Sequence, residues 1–201
     1  MLPRLYAIVD SGCFADTSAL LAFGRELNSA GVTLLQYRNK SGNARQMLSH
    51  ARELRRLLPD ATLIMNDRAD LCLAAHFNGV HLGQDDLTVE GARAVVGQKL
   101  WVGFSTHSPQ QLREADATSA AYIAVGPVFA TSSKENPDPV IGLEGVRAAR
   151  ALTRKPLVAI GGITRQNCRS VLDAGADSVA VISDLLGSPR QSAEEFFRLL
   201  R

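Results

Sequence analysis

The chain has 201 residues, of which 46% are hydrophobic and 21% are charged, and its formal net charge at pH 7 is +2. This length allows one large hydrophobic core. A nearly neutral chain with neither a basic stripe nor a long charge run does not indicate nucleic acid or an acidic membrane as a partner. No apolar stretch approaches the ~20 residues of a membrane helix, so we expect a cytoplasmic protein. Whether it forms a homo-oligomer is left open.

Short β-branched runs alternate along the chain with segments whose apolar residues recur at helical spacing, which predicts alternating strands and helices. The predicted strands are residues 4–9, 32–37, 62–66, 79–83, 100–105, 121–126, 156–161 and 178–183. The predicted helices are 18–31, 43–58, 68–77, 88–97, 108–116, 142–153, 164–175 and 189–201. Eight βα repeats in 201 residues predict an α/β fold of one domain, residues 1–201, closed into a single (β/α)8 TIM barrel.

The alternative architecture is a doubly wound open sheet. Its first βα turn would be expected to carry a G-x-G-x-x-G segment, whereas residues 9–20 read VDSGCFADTSAL. The barrel is therefore favoured, and it predicts that functional side chains gather at the C-terminal ends of the strands.

The segment LLQYRNK, residues 34–40, places Gln36, Arg38 and Lys40 at every second position of a predicted strand and its end. Alternate side chains of a strand share one face. Burying two cations together costs several kcal/mol unless an anion meets them. We therefore expect an anionic ligand, and an empty protein in which the two cations repel each other.

Asp67 and Asp86 follow the next two predicted strands and supply the hard oxygen ligands that magnesium prefers together with substrate phosphate. Arg38 and Lys40 would hold the remaining phosphate oxygens, which predicts a site for a magnesium diphosphate. In the alternative interpretation, Arg38 and Lys40 pair with Asp67 and Asp86 as a buried salt-bridge cluster.

The ends of the last two predicted strands, AIGGI (159–163) and AVIS (180–183), indicate a second phosphate site, because glycine lets the backbone approach a ligand closely. The alternative is a tight turn that packs a strand against a helix. The long connection 126–142, GPVFATSSKENPDPVIG, is predicted to act as a lid, although a solvated loop would have a similar composition.

Six segments in this order resemble the thiamine-phosphate synthase family over residues 4–186: QYRNK, NDRADLCLAAHFNGVHLGQDD, GFSTHS, GPVFATSSK, AIGGIT and GADSVAVIS. The resemblance implies a barrel enzyme that joins a hydroxymethylpyrimidine diphosphate to a thiazole phosphate and releases diphosphate with magnesium. The family usually has Thr-x-Thr-Lys where this chain has Thr131-Ser132-Ser133-Lys134, and serine keeps the hydroxyl.

The resemblance also implies the roles of individual residues. The pyrimidine diphosphate would be held by Gln36, Tyr37, Arg38, Asn39, Lys40, Asn66, Ser105 and Lys134. The thiazole phosphate would be held by Thr131, Ser132, Ser133, Gly162, Ile182 and Ser183. Magnesium would be held by Asp67 and Asp86, and the catalytic residues would be Arg38, Lys40, Ser105 and Lys134.

Two other functions stay open. A thiazole tautomerase would use a histidine after the fifth strand, where His107 stands, although His107 is equally placed at a helix start before the N-cap candidate Ser108. A non-catalytic barrel that binds a phosphorylated metabolite would need only the second phosphate site.

The remaining histidines and the cysteines are predicted to be structural. His81 is interpreted as a hydrogen-bonded histidine of the barrel, and His50 and His76 as surface residues on helices. The cysteines match neither a zinc spacing nor a disulfide framework and are predicted to be buried thiols: Cys13, Cys72 and Cys168.

Overall fold

The computed structural model describes residues 2–131 and 138–201. Within these ranges the strands are β1 (Leu5–Asp10), β2 (Leu34–Arg38), β3 (Thr62–Asn66), β4 (Gly79–Leu82), β5 (Trp101–Thr106), β6 (Tyr122–Val125), β7 (Leu157–Ile160) and β8 (Ser178–Val181). The α-helices are α1 (Thr17–Ser29), α2 (Ala44–Leu57), α3 (Ala69–Ala74), α4 (Val89–Val96), α5 (Pro109–Asp116), α6 (Gly142–Leu152), α7 (Cys168–Asp173) and α8 (Pro189–Leu199). None of these helices is both long and apolar enough to cross a membrane.

The strands are all parallel and each pairs with its neighbour in chain order, and β8 returns to pair with β1. The predicted closed (β/α)8 barrel is therefore confirmed. In the described residues, α1, α2, α4 and α5 begin at a side-chain cap, as where the Ser108 side chain accepts the Gln111 N–H at the start of α5. The helix predicted over 164–175 is shorter than expected, because Asn167 Oδ1 accepts the Thr164 N–H and holds residues 164–167 in a turn.

Side chains of β2 alternate between two environments, as the sequence predicts. Leu35 and Tyr37 pack in the large apolar layer between the strands and the helices. Leu34 belongs to the cluster inside the barrel, and the Gln36 amide reaches Tyr6 of the same cluster. The inner face of β2 therefore leads directly to the C-terminal mouth of the barrel.

Two expectations about single residues are wrong. His50 is buried, with Nδ1 2.9 Å from the Tyr37 hydroxyl and Nε2 2.9 Å from the Thr17 hydroxyl, because α2 packs this face against α1 and the barrel. Cys13 is exposed in the short turn after β1. Cys72 and Cys168 are buried as predicted.

Polar side chains also occupy the barrel interior, in one hydrogen-bonded chain. The Gln36 amide nitrogen donates to the Tyr6 hydroxyl at 3.0 Å, and that hydroxyl lies 2.9 Å from the Tyr122 hydroxyl. The Tyr122 hydroxyl lies 2.9 Å from His81 Nδ1, and His81 Nε2 lies 2.8 Å from Ser105 Oγ. Both ring nitrogens of His81 have partners, which confirms it as a hydrogen-bonded barrel histidine. A polar core group is tolerated only when it is paired in this way.

Burial lowers the pKa of His81 from 6.5 to about 4, and the Asp86 carboxylate opposes this shift. Between these values the unfolded chain binds a proton that the folded chain does not, so the free energy of unfolding falls as the pH falls. The loss in the free energy of unfolding is about 3 kcal/mol in total and is complete below about pH 4.

His81→Gln removes this titration, so the unfolding free energy of the variant, measured by urea melts, should fall less than that of the parent between about pH 6.5 and 4. His76→Gln, at an exposed histidine, should retain the full pH dependence. Equal slopes for the His81 variant and the parent would contradict the prediction.

Candidate active site

A cavity of about 480 Å³ opens at the C-terminal ends of the strands. Its walls contain predicted site residues from both anion sites: Gln36, Arg38, Lys40, Asn66, Asp67, Asp86, Ser105, Thr131, Gly162, Ile182 and Ser183. Ser132, Ser133 and Lys134 lie outside the described residues. The structure therefore gathers into one cavity residues that are distributed from the second strand to the eighth.

The side chains of Tyr37 and Asn39 lie outside this cavity. The Asn39 amide nitrogen donates to the Tyr37 hydroxyl at 3.1 Å, on the outer face of the barrel wall. The Asn39 amide oxygen accepts the N–H groups of Ser41 and Gly42, at 3.1 and 2.6 Å. These side chains shape the loop after β2 and thereby place Lys40 at the cavity mouth, so the structure does not support direct side-chain contact with a ligand.

Each cation at the mouth has a carboxylate partner. Arg38 forms an ion pair with Asp10, and Lys40 Nζ lies 2.5 Å from Asp67 Oδ2. The expectation that the empty protein holds these cations unpaired is therefore wrong. The salt-bridge interpretation holds for Lys40 and Asp67, whereas the partner of Arg38 is Asp10.

Asp10 is a residue that the sequence analysis missed. It ends β1 directly beside Arg38 in the strand register, and its side chain is mostly buried. The available signal was a charged residue at the end of an apolar run, the same signal that marks the end of β2 at Arg38.

Asp67 and Asp86 are held in place by backbone contacts. Asp67 has a positive φ of 63°, and its N–H donates to the His81 carbonyl at 2.8 Å. A left-handed conformation at a non-glycine residue stores strain and is concentrated at functional sites. Asp86 Oδ2 accepts the Gly83 N–H at 2.7 Å, which fixes the second carboxylate in the loop after β4.

The electrostatics of this carboxylate pair suit a divalent cation. Burial raises the pKa of Asp67, and the neighbouring Asp86 carboxylate raises it further, whereas the Lys40 hydrogen bond opposes both effects. In the described ranges no three His, Cys, Asp or Glu side chains form a metal cluster. Two hard carboxylates without a third protein ligand fit magnesium, which keeps water or phosphate oxygens in its other positions.

Asn66 supplies an unused hydrogen-bond donor in the cavity wall. Its side-chain nitrogen is buried and has no partner among the described residues. Leaving such a group unpaired costs about 1–3 kcal/mol, so it is expected to meet an acceptor from a ligand.

The opposite wall is formed by the turn after β7. Gly161 and Gly162 have φ values of 99° and 62°, which glycine adopts without strain. A Cβ atom at Gly162 would lie 2.4 Å from the Ala130 carbonyl oxygen, so the glycine is needed for packing against the loop after β6. The Gly162 and Ile163 amides donate to no residue within the described ranges. The turn thus serves packing and also leaves donors at the cavity.

His107 also lines the cavity. Its Nδ1 lies 2.6 Å from the Gly126 carbonyl oxygen, an arrangement in which Nδ1 carries the proton. Asp138 Oδ2 lies 3.5 Å from the same nitrogen and borders the cavity too. The sequence offers no spacing or periodicity that would have identified Asp138.

Comparison with known proteins gives a consistent result. A model described as thiamine monophosphate synthase matches residues 5–185. The chain is 64% identical over 203 residues to a thiamine-phosphate synthase of Koribacter versatilis, covering 99% of this chain and 96% of that protein. It is 42% identical to a thiamine-phosphate synthase of Chloroflexus aurantiacus, covering 92% and 86% respectively.

The fold agrees with this similarity. A thiamine phosphate pyrophosphorylase from Pyrococcus furiosus superposes with a TM-score of 0.87 at 34% identity, covering 98% of this chain and 95% of that one. Because the family model and the relatives span nearly the whole chain, this protein belongs to the thiamine monophosphate synthase family.

Proposed function

We propose that the protein is a cytoplasmic thiamine-phosphate synthase. It condenses 4-amino-2-methyl-5-(diphosphooxymethyl)pyrimidine with a thiazole phosphate or carboxythiazole phosphate and releases diphosphate, with magnesium as the cofactor. The observation that carries this proposal is that one cavity combines a cation and carboxylate cluster on one wall with a glycine turn on the other. The reaction requires two anionic substrates side by side, and the two walls match them.

The pyrimidine diphosphate lies against the wall formed by β2 to β5. Arg38 presents a planar fork to phosphate oxygens and Lys40 presents a point charge. Asn66 offers its unpaired side-chain N–H group to the same ligand. Lys134 is proposed to add a further cation, although it lies outside the described residues.

Asp67 and Asp86 would hold magnesium. When bound, magnesium supplies positive charge that stabilises the departing diphosphate. Lys40 leaves Asp67 readily for a phosphate because its side chain is 55% exposed, whereas Arg38 is only 21% exposed and stays beside Asp10. Arg38 therefore acts as the fixed cation and Lys40 as the adjustable one.

The chemistry needs little proton transfer from the protein. An electron-rich aminopyrimidine can expel the diphosphate and leave a delocalised cation at its methylene carbon, and Arg38 and Lys40 stabilise the charge that grows on the leaving group. The thiazole nitrogen then attacks that carbon. The barrel orients the two rings and excludes water with apolar wall residues such as Ile160 and Ile182, since water would capture the cation.

The thiazole phosphate lies against the turn after β7 and the end of β8. The Gly162 and Ile163 amides and the Ser183 side chain provide donors there. Thr131, with Ser132 and Ser133 beyond the described residues, is proposed to complete this site. Arg165 joins the β7 and β8 loops through Asp184 Oδ2, which accepts the Arg165 backbone N–H at 2.8 Å and its Nε–H at 3.0 Å.

A second candidate function is a thiazole tautomerase, and the position of His107 in the cavity wall favours it. A proton-shifting enzyme has no use for the cations and carboxylates on the opposite wall. The non-catalytic barrel likewise leaves that wall unexplained.

One assay separates these functions. The purified protein is given both substrates with and without magnesium, and diphosphate release and thiamine phosphate are measured. We expect magnesium-dependent formation of both products in equal amounts. Binding of thiazole phosphate without diphosphate release would favour the non-catalytic barrel, and proton exchange on the thiazole alone would favour the tautomerase.

The carboxylate pair gives a prediction about metal dependence. Asp67→Asn and Asp86→Asn keep the side-chain shape but remove the charge, and asparagine tolerates the positive φ at position 67. Each variant should raise the magnesium concentration for half-maximal turnover at least ~10-fold without unfolding the protein. Asp70→Asn, at an exposed carboxylate paired with Arg68, is the matched control and should behave like the parent. Unchanged metal dependence in both site variants would assign the two carboxylates to structural contacts, such as the ion pair of Asp67 with Lys40.

Lys40→Met tests whether the mouth cation serves catalysis or stability. Because the Lys40 side chain is more than half exposed, its pairing with Asp67 should contribute less than about 1 kcal/mol to the unfolding free energy. Turnover should fall by ~10²–10³ because a cation beside the leaving group is lost. Arg190→Met removes a similarly exposed ion pair on α8 and should change neither quantity appreciably. Thermal melts and diphosphate release measure the two effects, and a loss of ~3–5 kcal/mol with normal turnover would indicate the salt-bridge role.

Gly162→Ala separates packing from ligand binding. The substitution places a Cβ atom against the Ala130 carbonyl and strains a positive φ, so we expect a lower melting temperature. We also expect the substitution to weaken the binding of thiazole phosphate more than the binding of pyrimidine diphosphate, with both affinities measured by calorimetry and compared with the parent. Gly97→Ala is the matched control, since its φ is 74° and no atom lies within 4 Å of the added Cβ. Equal weakening of both ligands would show that Gly162 serves packing alone.

A further inference from the structure

The side chain of Asn167 bridges two peptide groups of the turn after β7. Its amide nitrogen donates to the Gly162 carbonyl at 3.0 Å, and its amide oxygen accepts the Thr164 N–H at 2.8 Å. These partners fix the orientation of the side-chain amide, because a carbonyl only accepts and a backbone N–H only donates. Asn167 therefore holds the peptide groups on both sides of Ile163.

This bridge is separate from the start of the next helix. Asn167 directly precedes α7, a position from which an asparagine side chain commonly accepts an N–H group of the first helical turn. The structure shows no such bond from Asn167 to α7, whose residues are all described, and the side chain reaches back to the turn instead. The stability of α7 therefore does not explain the asparagine.

The contact with Gly162 determines where the Ile163 amide points. The peptide bond between Gly162 and Ile163 is trans, so its carbonyl and its N–H group point in opposite directions. The carbonyl points to Asn167, which is not among the described residues that line the cavity, whereas Ile163 is. The Ile163 N–H is therefore directed to the cavity side of the turn.

This N–H group needs an acceptor from a ligand. Ile163 is only 4% exposed, and its N–H donates to no residue within the described ranges. A buried donor without an acceptor is unfavourable, so the peptide would gain by turning over. A turned peptide would present a carbonyl oxygen to the cavity, which repels a phosphate. Asn167 opposes this rotation, because its amide nitrogen would lose the Gly162 carbonyl.

A second tie keeps the same turn beside the end of β8. Asp184 Oδ2 accepts the Arg165 backbone N–H at 2.8 Å and its Nε–H at 3.0 Å, and Arg165 also pairs with Glu195 of α8. Asp184 directly follows Ser183, so this tie holds the turn against Ser183 without help from Asn167. Removing the Asn167 side chain should therefore free one peptide group without separating the two loops.

We infer that Asn167 is a positioning residue of the proposed thiazole phosphate site, where its side chain orients the Ile163 amide toward the phosphate. This inference rests on the proposed function and deepens it. Asn167 acts through the peptide between Gly162 and Ile163 and does not itself touch the ligand. It therefore contributes affinity for the phosphate group rather than for the thiazole ring.

Asn167→Ala tests the inference through a ratio of two kcat/KM values, one for thiazole phosphate and one for the same thiazole alcohol without its phosphate. The ratio should fall at least ~10-fold, the effect of losing one hydrogen bond to a charged group, mainly through a higher KM for thiazole phosphate. The KM for pyrimidine diphosphate should keep the parent value. An unchanged ratio in the folded variant overturns the inference.

Asn167→Asp separates orientation from shape. One carboxylate oxygen can still accept the Thr164 N–H, but the other faces the Gly162 carbonyl and repels it. The ratio should fall at least as far as in Asn167→Ala. Because aspartate also adds a negative charge near the phosphate, a fall in this variant alone would reflect that charge and overturns the inference.

Asn78→Ala is the matched control at the opposite end of the barrel. Asn78 Oδ1 accepts the Leu63 N–H at 2.8 Å and a guanidinium N–H of Arg55 at 2.6 Å, directly before β4. The control should lower the melting temperature and keep the parent ratio. An equal fall of the ratio in the control would show that it responds to stability alone, which overturns the inference.

Nitrogen-15 NMR with inorganic phosphate tests the orientation without any turnover. We expect the Ile163 amide proton signal of the parent to move downfield when phosphate is added, and to move less in Asn167→Ala. Equal shifts in the two proteins, or no shift in the parent, overturn the inference. If Asn167→Ala does not fold, Asn167→Ser is also neutral, suits a helix start and carries the same expected results.

Failure of the proposed function would give a different result. Absence of product from both substrates with magnesium would refute that function. The Ile163 signal would still decide whether Asn167 orients this amide toward a bound phosphate.

Discussion

The alternation of side chains along β2 is the constraint on which the site depends. Leu35 and Tyr37 must face the apolar layer under the helices, so Gln36 and Arg38 must face inward. A shift of the strand register by one residue would turn Leu35 and Tyr37 into the barrel and Gln36 and Arg38 into the apolar layer. Packing of the apolar layer therefore determines which side chains reach the cavity. Closure of the barrel then brings the ends of β2, β3 and β4 together, and with them the cations and carboxylates.

Charge pairing at the mouth explains how this polar site exists without a ligand. Arg38 and Lys40 are each compensated by a carboxylate, so the empty protein does not hold two unpaired cations in a partly buried wall. Binding of a phosphate must compete with those carboxylates, and the competition is easier where the pair is exposed. When Lys40 turns to a phosphate, Asp67 loses its counter-charge beside Asp86, and a divalent cation becomes the natural replacement. The proposed diphosphate and metal sites are therefore expected to fill together.

The sequence predicts the strands that form this site, but it does not predict some of the side-chain pairings within it. The ends of β2 and β3 are predictable because the apolar run stops at a polar residue, as where β3 ends at Asn66. Asp10 carries the same signal, but its role depends on the register that sets it beside Arg38, which no local pattern contains. His50 was misjudged because its helix face packs against two neighbours, and only the tertiary arrangement decides that. Tyr37 and Asn39 belong to the segment QYRNK that resembles the family, but the alternation of side chains along β2 places theirs on the outer face of the barrel, away from the cavity.

The loop after β6 illustrates how packing and binding share the same atoms. Its first residues are fastened to the turn after β7, where the Val128 and Phe129 N–H groups donate to the Ile160 and Gly161 carbonyls at 2.9 and 3.0 Å. Its last residues return to the same base, since the Ile141 N–H donates to the Pro127 carbonyl at 2.9 Å. A loop closed at its base in this way holds Thr131 at the cavity through the barrel itself. Gly162, which allows this close approach, also supplies one of the amides of the proposed thiazole phosphate site, so the anchoring of the loop and the proposed second anion site depend on the same turn.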